Sequence, residues 1–115
     1  MSRSILLQLA RDSIQEVFEA KHVIDKKSLL ELHPLLMQNI PTTLNIYIED
    51  ELKGSYTNDK NSLLDSIVLC AKRAAFEDKK SEILTTSEYL HCEIELILKT
   101  QDGVISERDP AILKN

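Results

Sequence analysis

A chain of 115 residues with 43% apolar and 29% charged side chains has the make-up of an ordinary globular protein, which excludes collagen-like, solenoid and disordered classes. That length suits one domain with one core, burying roughly two thirds of the unfolded surface. The formal net charge of −5 repels phosphate backbones, and the pairs Lys26-Lys27, Lys72-Arg73 and Lys79-Lys80 are each followed or preceded by acids and do not alternate with aromatic residues that could stack on bases, so no nucleic-acid partner is expected. No apolar run approaches the roughly 20 residues of a membrane span. Gln8 and Asp12 interrupt the stretch where a signal peptide needs an apolar core, so the expectation is a cytoplasmic protein with no membrane contact.

In chain order, Ile5, Leu6, Leu9, Ile14, Val17 and Phe18 recur at helical spacing with Gln8, Arg11, Asp12 and Glu16 between them. This predicts a helix over 4–20 with one buried face, capped by Ser2 or Ser4. Residues 21–32 are weakly periodic and read as a loop. Pro34 pushes His33 out of the α region and suits the first turn of a short helix over 34–39, which Pro41 stops. Leu44, Ile46 and Ile48 alternate with Thr43, Asn45 and Tyr47, the pattern of a half-buried strand, and Glu49-Asp50-Glu51 turns the chain into a second strand through Thr57. Gly54 inside that strand marks a bulge or a close backbone approach.

The stripe Leu63, Leu64, Ile67, Cys70, Ala71, Ala74 and Ala75 predicts a helix over 62–76 packed on the sheet. Ser62 with Asp65 resembles a capping box, and Lys72-Arg73 complement the helix dipole. Thr85 with Glu88 is a better capping box and predicts one helical turn. A strand over 91–100 follows, with Cys92, Ile94, Leu96 and Leu98 on its apolar face. Gln101-Asp102-Gly103 is a turn and Val104-Ile105 begin another strand. The whole is an α+β domain over 1–105: a small, mostly antiparallel sheet (hairpin 42–57 and strand 91–100) covered on one face by helices 4–20 and 62–76. Residues 106–115 read as a polar, mobile tail.

Several of these pieces, in this order, resemble the AMMECR domain family. Leu9-Ala10-Arg11-Asp12-Ser13-Ile14 matches its L-A-R-x-x-I. Leu52-Lys53-Gly54-Ser55-Tyr56-Thr57 stands where the family has L-R-G-C-I-G, and Ala74-Ala75-Phe76-Glu77-Asp78 matches A-A-F-x-D. Thr86-Ser87-Glu88-Tyr89-Leu90 and Glu93-Ile94-Glu95-Leu96 resemble T-P-E-E-L and I-E-I-E-V. The chain departs from the pattern at Lys53, Ser55, Tyr56 and Thr57, and it lacks the family's further glycine-rich half, as a shortened and diverged member would. The resemblance implies an α+β fold, a shallow site at the signature strand, no settled activity, and association with a Memo-type or radical SAM protein.

The candidate ligand- or partner-binding residues are Lys53, Gly54, Ser55, Tyr56 and Asn58, the polar cluster around that glycine. Ser55 lacks an assignable base and a G-x-S-x-G elbow, so no catalytic residue is proposed from the sequence. His91 and Cys92, adjacent on a strand, point to opposite faces and cannot share an ion. With Cys70 they give no metal site, and Cys70 and Cys92 read as core residues with no disulfide. No cofactor is expected. The sequence favours a non-enzymatic interaction or accessory module over a catalytic or substrate-delivering subunit of a modification or redox system completed by a partner chain. An uncovered sheet edge predicts a homodimer.

Overall fold

The computed structural model describes residues 4–77 and 83–108. They form, in order, helix α1 (Ile5–Glu19), helix α2 (Lys26–Leu32), a 3-10 turn (Pro34–Met37), strands β1 (Thr42–Ile48) and β2 (Glu51–Asn58), helices α3 (Leu63–Phe76) and α4 (Thr86–His91), and strands β3 (Glu93–Thr100) and β4 (Gly103–Arg108). The strands make one antiparallel sheet in the order β2-β1-β3-β4. The α+β class and the helix-covered sheet are as the sequence predicts.

Alternation on the strands builds the core. Leu44 pairs with Tyr56 on one side and Leu96 on the other, and Ile46 with Gly54 and Ile94. Onto this face the α3 stripe brings Leu63, Leu64, Ile67, Cys70, Ala71 and Ala74, all buried. The hydroxyl of Ser62 accepts from the Asp65 N–H as the N-cap of α3. Ser4 likewise caps α1 through the Leu7 N–H. At Thr85 both halves of the expected capping box are present, satisfying donors that the first helical turn leaves unpaired.

The structure corrects the sequence reading at several points. Residues 26–32, read as loop, are helix α2, because Asp25 accepts from the Ser28 N–H and starts it. The expected helix over 34–39 is only the tighter turn Pro34–Met37. The third strand begins at Glu93 rather than His91: α4 runs on through His91, and Cys92 is its C-cap. Strand β4 continues through Arg108, so Ser106, Glu107 and Arg108 belong to the sheet, and the rest of the expected tail lies outside the described residues. On α1 the buried face is rotated toward Leu7, Ala10, Ser13 and Ile14, leaving Ile5 and Val17 exposed. That rotation buries Arg11 and Glu16, which the periodicity assigned to the polar side.

Candidate functional site

The signature strand β2 does not gather its five candidate residues into one site. The pairing of β1 with β2 runs Ile46 to Gly54 and then Tyr47 to Leu52, so Lys53 is an extra residue, a β-bulge. Strict alternation would place Leu52 with Gly54 and Tyr56 on the core side. The bulge reverses this at its own position: Leu52 joins Tyr47 and is 57% exposed, while the ammonium of Lys53 lies 3.6 Å from Glu88 on α4. The other Glu88 oxygen accepts the Thr85 N–H of the capping box. That N–H first, and Lys53 further, hold the Glu88 carboxyl below the usual range, against a smaller opposing effect of burial.

Gly54 fulfils both meanings a strand glycine can have. It adjoins the bulge, and a Cβ placed on it would stand 2.1 Å from the Ala74 carbonyl oxygen of α3. The helix therefore rests directly on the strand backbone. Tyr56 packs on the core, and its hydroxyl accepts from Arg73 at 3.0 Å while the guanidinium lies 5.3 Å from its ring centre. Asn58 donates to Asn61 at 2.8 Å and to Ser66 at 3.1 Å, tying the strand end to the start of α3. Ser55 points the other way, donating to the Asn45 side-chain oxygen at 2.6 Å. An amide oxygen accepts a hydrogen bond and is no general base.

The thiols are equally committed. Cys70 donates toward the Thr42 carbonyl at 3.7 Å. Burial pushes it up to about 12, with the Asn58 N–H and Arg73 opposing only in part. Cys92 donates to the Tyr89 carbonyl and accepts from Arg11. Both are buried and in no disulfide, and among the described residues no group of three or more His, Cys, Asp or Glu side chains is arranged to hold a metal ion. His91, at the end of α4, is exposed.

Two buried charges hold the architecture together. Arg11, 6% exposed, donates to the backbone oxygens of Tyr89 and Cys92 and lies 5.0 Å from the Tyr89 ring centre. Tyr89 returns a hydrogen bond to the Arg11 carbonyl at 3.0 Å, so α1 is fastened to the junction of α4 and β3. Glu16, 9% exposed, accepts from the backbone N–H groups of Val23 and Ile24 and from Lys72 at 3.1 Å. Burial alone would raise its pKa, but the two N–H groups and the ammonium outweigh that and hold it at about 2. The sequence signal was a charged residue on the buried stripe of α1, Arg11 four positions after Leu7 and three before Ile14 and Glu16 seven after Leu9, which pattern reading by hydrophobicity alone discards.

A continuous polar ladder crosses the outer face of the sheet, away from α1 and α3. Ser55 on β2 bonds Asn45 on β1, which donates to Glu95 of β3 at 3.0 Å. Tyr47 donates to the same Glu95 oxygen at 3.1 Å. Arg108 of β4 lies 4.4 Å from the Tyr47 ring centre and donates to Glu93 at 2.7 Å, with Asp50 at 3.6 Å. Burial and then the bond to Glu95 push the Tyr47 hydroxyl above its usual range, and the Glu93 bond does the same for Arg108.

No family model matches the sequence, and no curated protein does. Among solved structures the chain is similar to an uncharacterised protein, PH0010, from Pyrococcus horikoshii, with a TM-score of 0.69 and 17% sequence identity. The match covers 81% of this chain and 48% of that one, so the two share a fold and this chain spans about half the length of its neighbour. No helix of the described residues is long and apolar enough to cross a membrane.

Proposed function

We propose that the chain is an AMMECR-like domain acting as a non-enzymatic, cytoplasmic interaction module. Its contact surface is the outer face of the sheet, where it meets a protein partner with a basic surface. The ladder from Ser55 to Arg108 carries this reading. Tyrosine and arginine are the residue types that most often anchor protein interfaces, and here Tyr47 and Arg108 are stacked and held by Glu95 and Glu93 before any partner arrives. Side chains already ordered lose less freedom on binding. Asp50 and Glu93 lie against the Arg108 guanidinium and Glu95 stands opposite Arg108 on β3, and this acid excess complements a basic partner.

The reactive groups of the signature strand support the non-enzymatic half of the reading, since Lys53, Ser55 and Tyr56 each engage another side chain of their own domain. By the family resemblance the partner is a Memo-type or radical SAM protein, and by its uncovered sheet edge the module is a homodimer. A photo-crosslinking residue at Thr43 on the outer face should give a discrete adduct in cells, and Glu95→Lys should remove it. The same residue at Val17, on exposed α1 surface, should give none. Equal adducts at both positions, or covalent labelling of Ser55 by a serine-directed acylating probe, would overturn the proposal.

A further inference from the structure

We infer that β4 is the dimer edge: a second copy of the chain lays its own β4 antiparallel beside it, across a two-fold axis passing through Ile105. This rests on the homodimer reading and adds to it the surface and the register.

The sheet has two edges, β2 and β4, and they differ in how they meet another strand. A bulge and a lysine are devices that discourage edge pairing, and β2 carries both at Lys53. β4 pairs with β3 without a register shift over its whole length, and its apolar residues Val104 and Ile105 are 66% and 50% exposed. Beside its start lies a cleft of about 760 Å³ whose lining includes Leu35, Ile40 and Leu98 as well as Ile105.

The free hydrogen-bonding groups follow from the ladder. The Lys99 N–H donates to the Pro41 carbonyl, on the β1 side of β3, so Lys99 and Val104 are a pair without hydrogen bonds between them. In an antiparallel ladder such pairs alternate with bonded ones. Val104, Ser106 and Arg108 therefore aim their backbone N–H and C=O groups away from β3, at the open edge.

Residues directly opposite in an antiparallel pair share a face, which restricts self-pairing to registers that place one residue opposite itself. With Ile105 on the axis, Ile105 meets Ile105 of the second copy on the helix side, next to the Leu35 cleft. Val104 and Ser106 then exchange their free backbone bonds, Glu107 meets Gly103, and Asp102 meets Arg108 twice. Centring on Ser106 instead sets Ile105 against Glu107, and centring on Glu107 sets two carboxylates together. The Ile105 register alone among these joins apolar to apolar and opposite charges to each other.

The test uses the full chain in light scattering at tens of micromolar, with the variants Ile105→Cys, Ser106→Cys and Ser106→Pro. Wild type should show twice the 13.1 kDa chain mass. In the Ile105→Cys dimer the two introduced thiols face each other on the axis, with Cα atoms about 4.5 Å apart, inside the disulfide range of roughly 4.4–6.8 Å. Mild oxidation should therefore link Ile105→Cys into covalent dimers. In the Ser106→Cys dimer the introduced thiols are offset by two positions, roughly 7 Å along the strand, and should stay unlinked. Ser106→Pro removes one free N–H and no bond to β3, so it should give folded monomers that unfold cooperatively at a midpoint independent of protein concentration, where wild type's rises with concentration. A monomeric wild type overturns both the edge and the homodimer. A dimer that survives Ser106→Pro and never links through position 105 overturns the edge and leaves the homodimer standing. Linkage through position 106 in place of 105 overturns the register.

Discussion

The two faces of the sheet are built from alternate residues of the same strands, yet they are held by different physics. On the helix side Leu44, Ile46, Ile94 and Leu96 are shut from solvent beneath α1 and α3, where the free energy comes from apolar area removed from water. On the other side Asn45, Tyr47, Glu93 and Glu95 are half-buried and tied by directional hydrogen bonds to carboxylates, each worth at most about 1.5–3 kcal/mol net and less where solvent screens the charge. The first face sets whether the chain folds. The second contributes little to folding and presents fixed chemistry outward, which is the division expected when function is placed on a scaffold.

The sharpest way to break this comparison is to truncate neighbours on opposite faces. Leu96→Ala should destabilise by about 2–5 kcal/mol, as should Ile67→Ala from the α3 side, whereas Ile97→Ala, one residue along on the outer face, should cost about 1 kcal/mol. Denaturant midpoints decide it, and equal losses at 96 and 97 would mean that the faces are misassigned. Gly54→Ala comes next: its methyl group has no room beneath the Ala74 carbonyl, and such overpacking costs typically about 1–3 kcal/mol.

Glu16→Gln should cost about 1.5–3 kcal/mol at neutral pH, the range for hydrogen bonds to a charged group. Its pH dependence is the more telling measurement. The folded-state value of about 2 lies below the ordinary 4.5, so the stability Glu16 contributes is present above about pH 4.5 and is lost as pH falls toward 2. Wild type should weaken across that window, and the Gln variant should lose the Glu16 part of the slope. Parallel pH profiles would show that the carboxylate is not the group holding the 21–25 segment. The smallest effect should be Ser55→Ala, about 1 kcal/mol from its bond to Asn45. That exceeds the loss of up to about 0.5 kcal/mol usual for surface substitutions, because this hydroxyl belongs to the ladder. Urea midpoints resolve the difference.

Much of the fold is written in the sequence as periodicity. The α3 stripe, the β1 alternation and the Thr85–Glu88 box each express a local preference that the tertiary structure keeps. What escapes local reading depends on distant atoms. Arg11 and Glu16 look like solvent-facing charges until Tyr89, Cys92 and Lys72 arrive from far along the chain. The bulge at Lys53 is invisible to strict alternation, so Leu52 is assigned inward when it points out. The candidate residues suffer most from this. Ser55 is separated from Lys53, Gly54 and Tyr56 by the sheet itself, and the ladder it joins draws on three other strands, which no contiguous motif can reveal.

The strand order β2-β1-β3-β4 also has a kinetic consequence. It consists of two local hairpins joined by one ladder: Ile46 meets Gly54 within its hairpin but meets Ile94 only after α3 and α4 have been traversed. Closing that long loop costs chain entropy before its contacts repay anything, so the folding barrier should lie at the docking of β1 against β3. Mutations in that ladder, such as Ile94→Val, should chiefly slow refolding. Mutations in the β3–β4 turn, such as Asp102→Ala, should leave refolding nearly untouched and act on unfolding. Stopped-flow chevrons of the two variants would show the reverse pattern if the hairpins, rather than their docking, limit the rate.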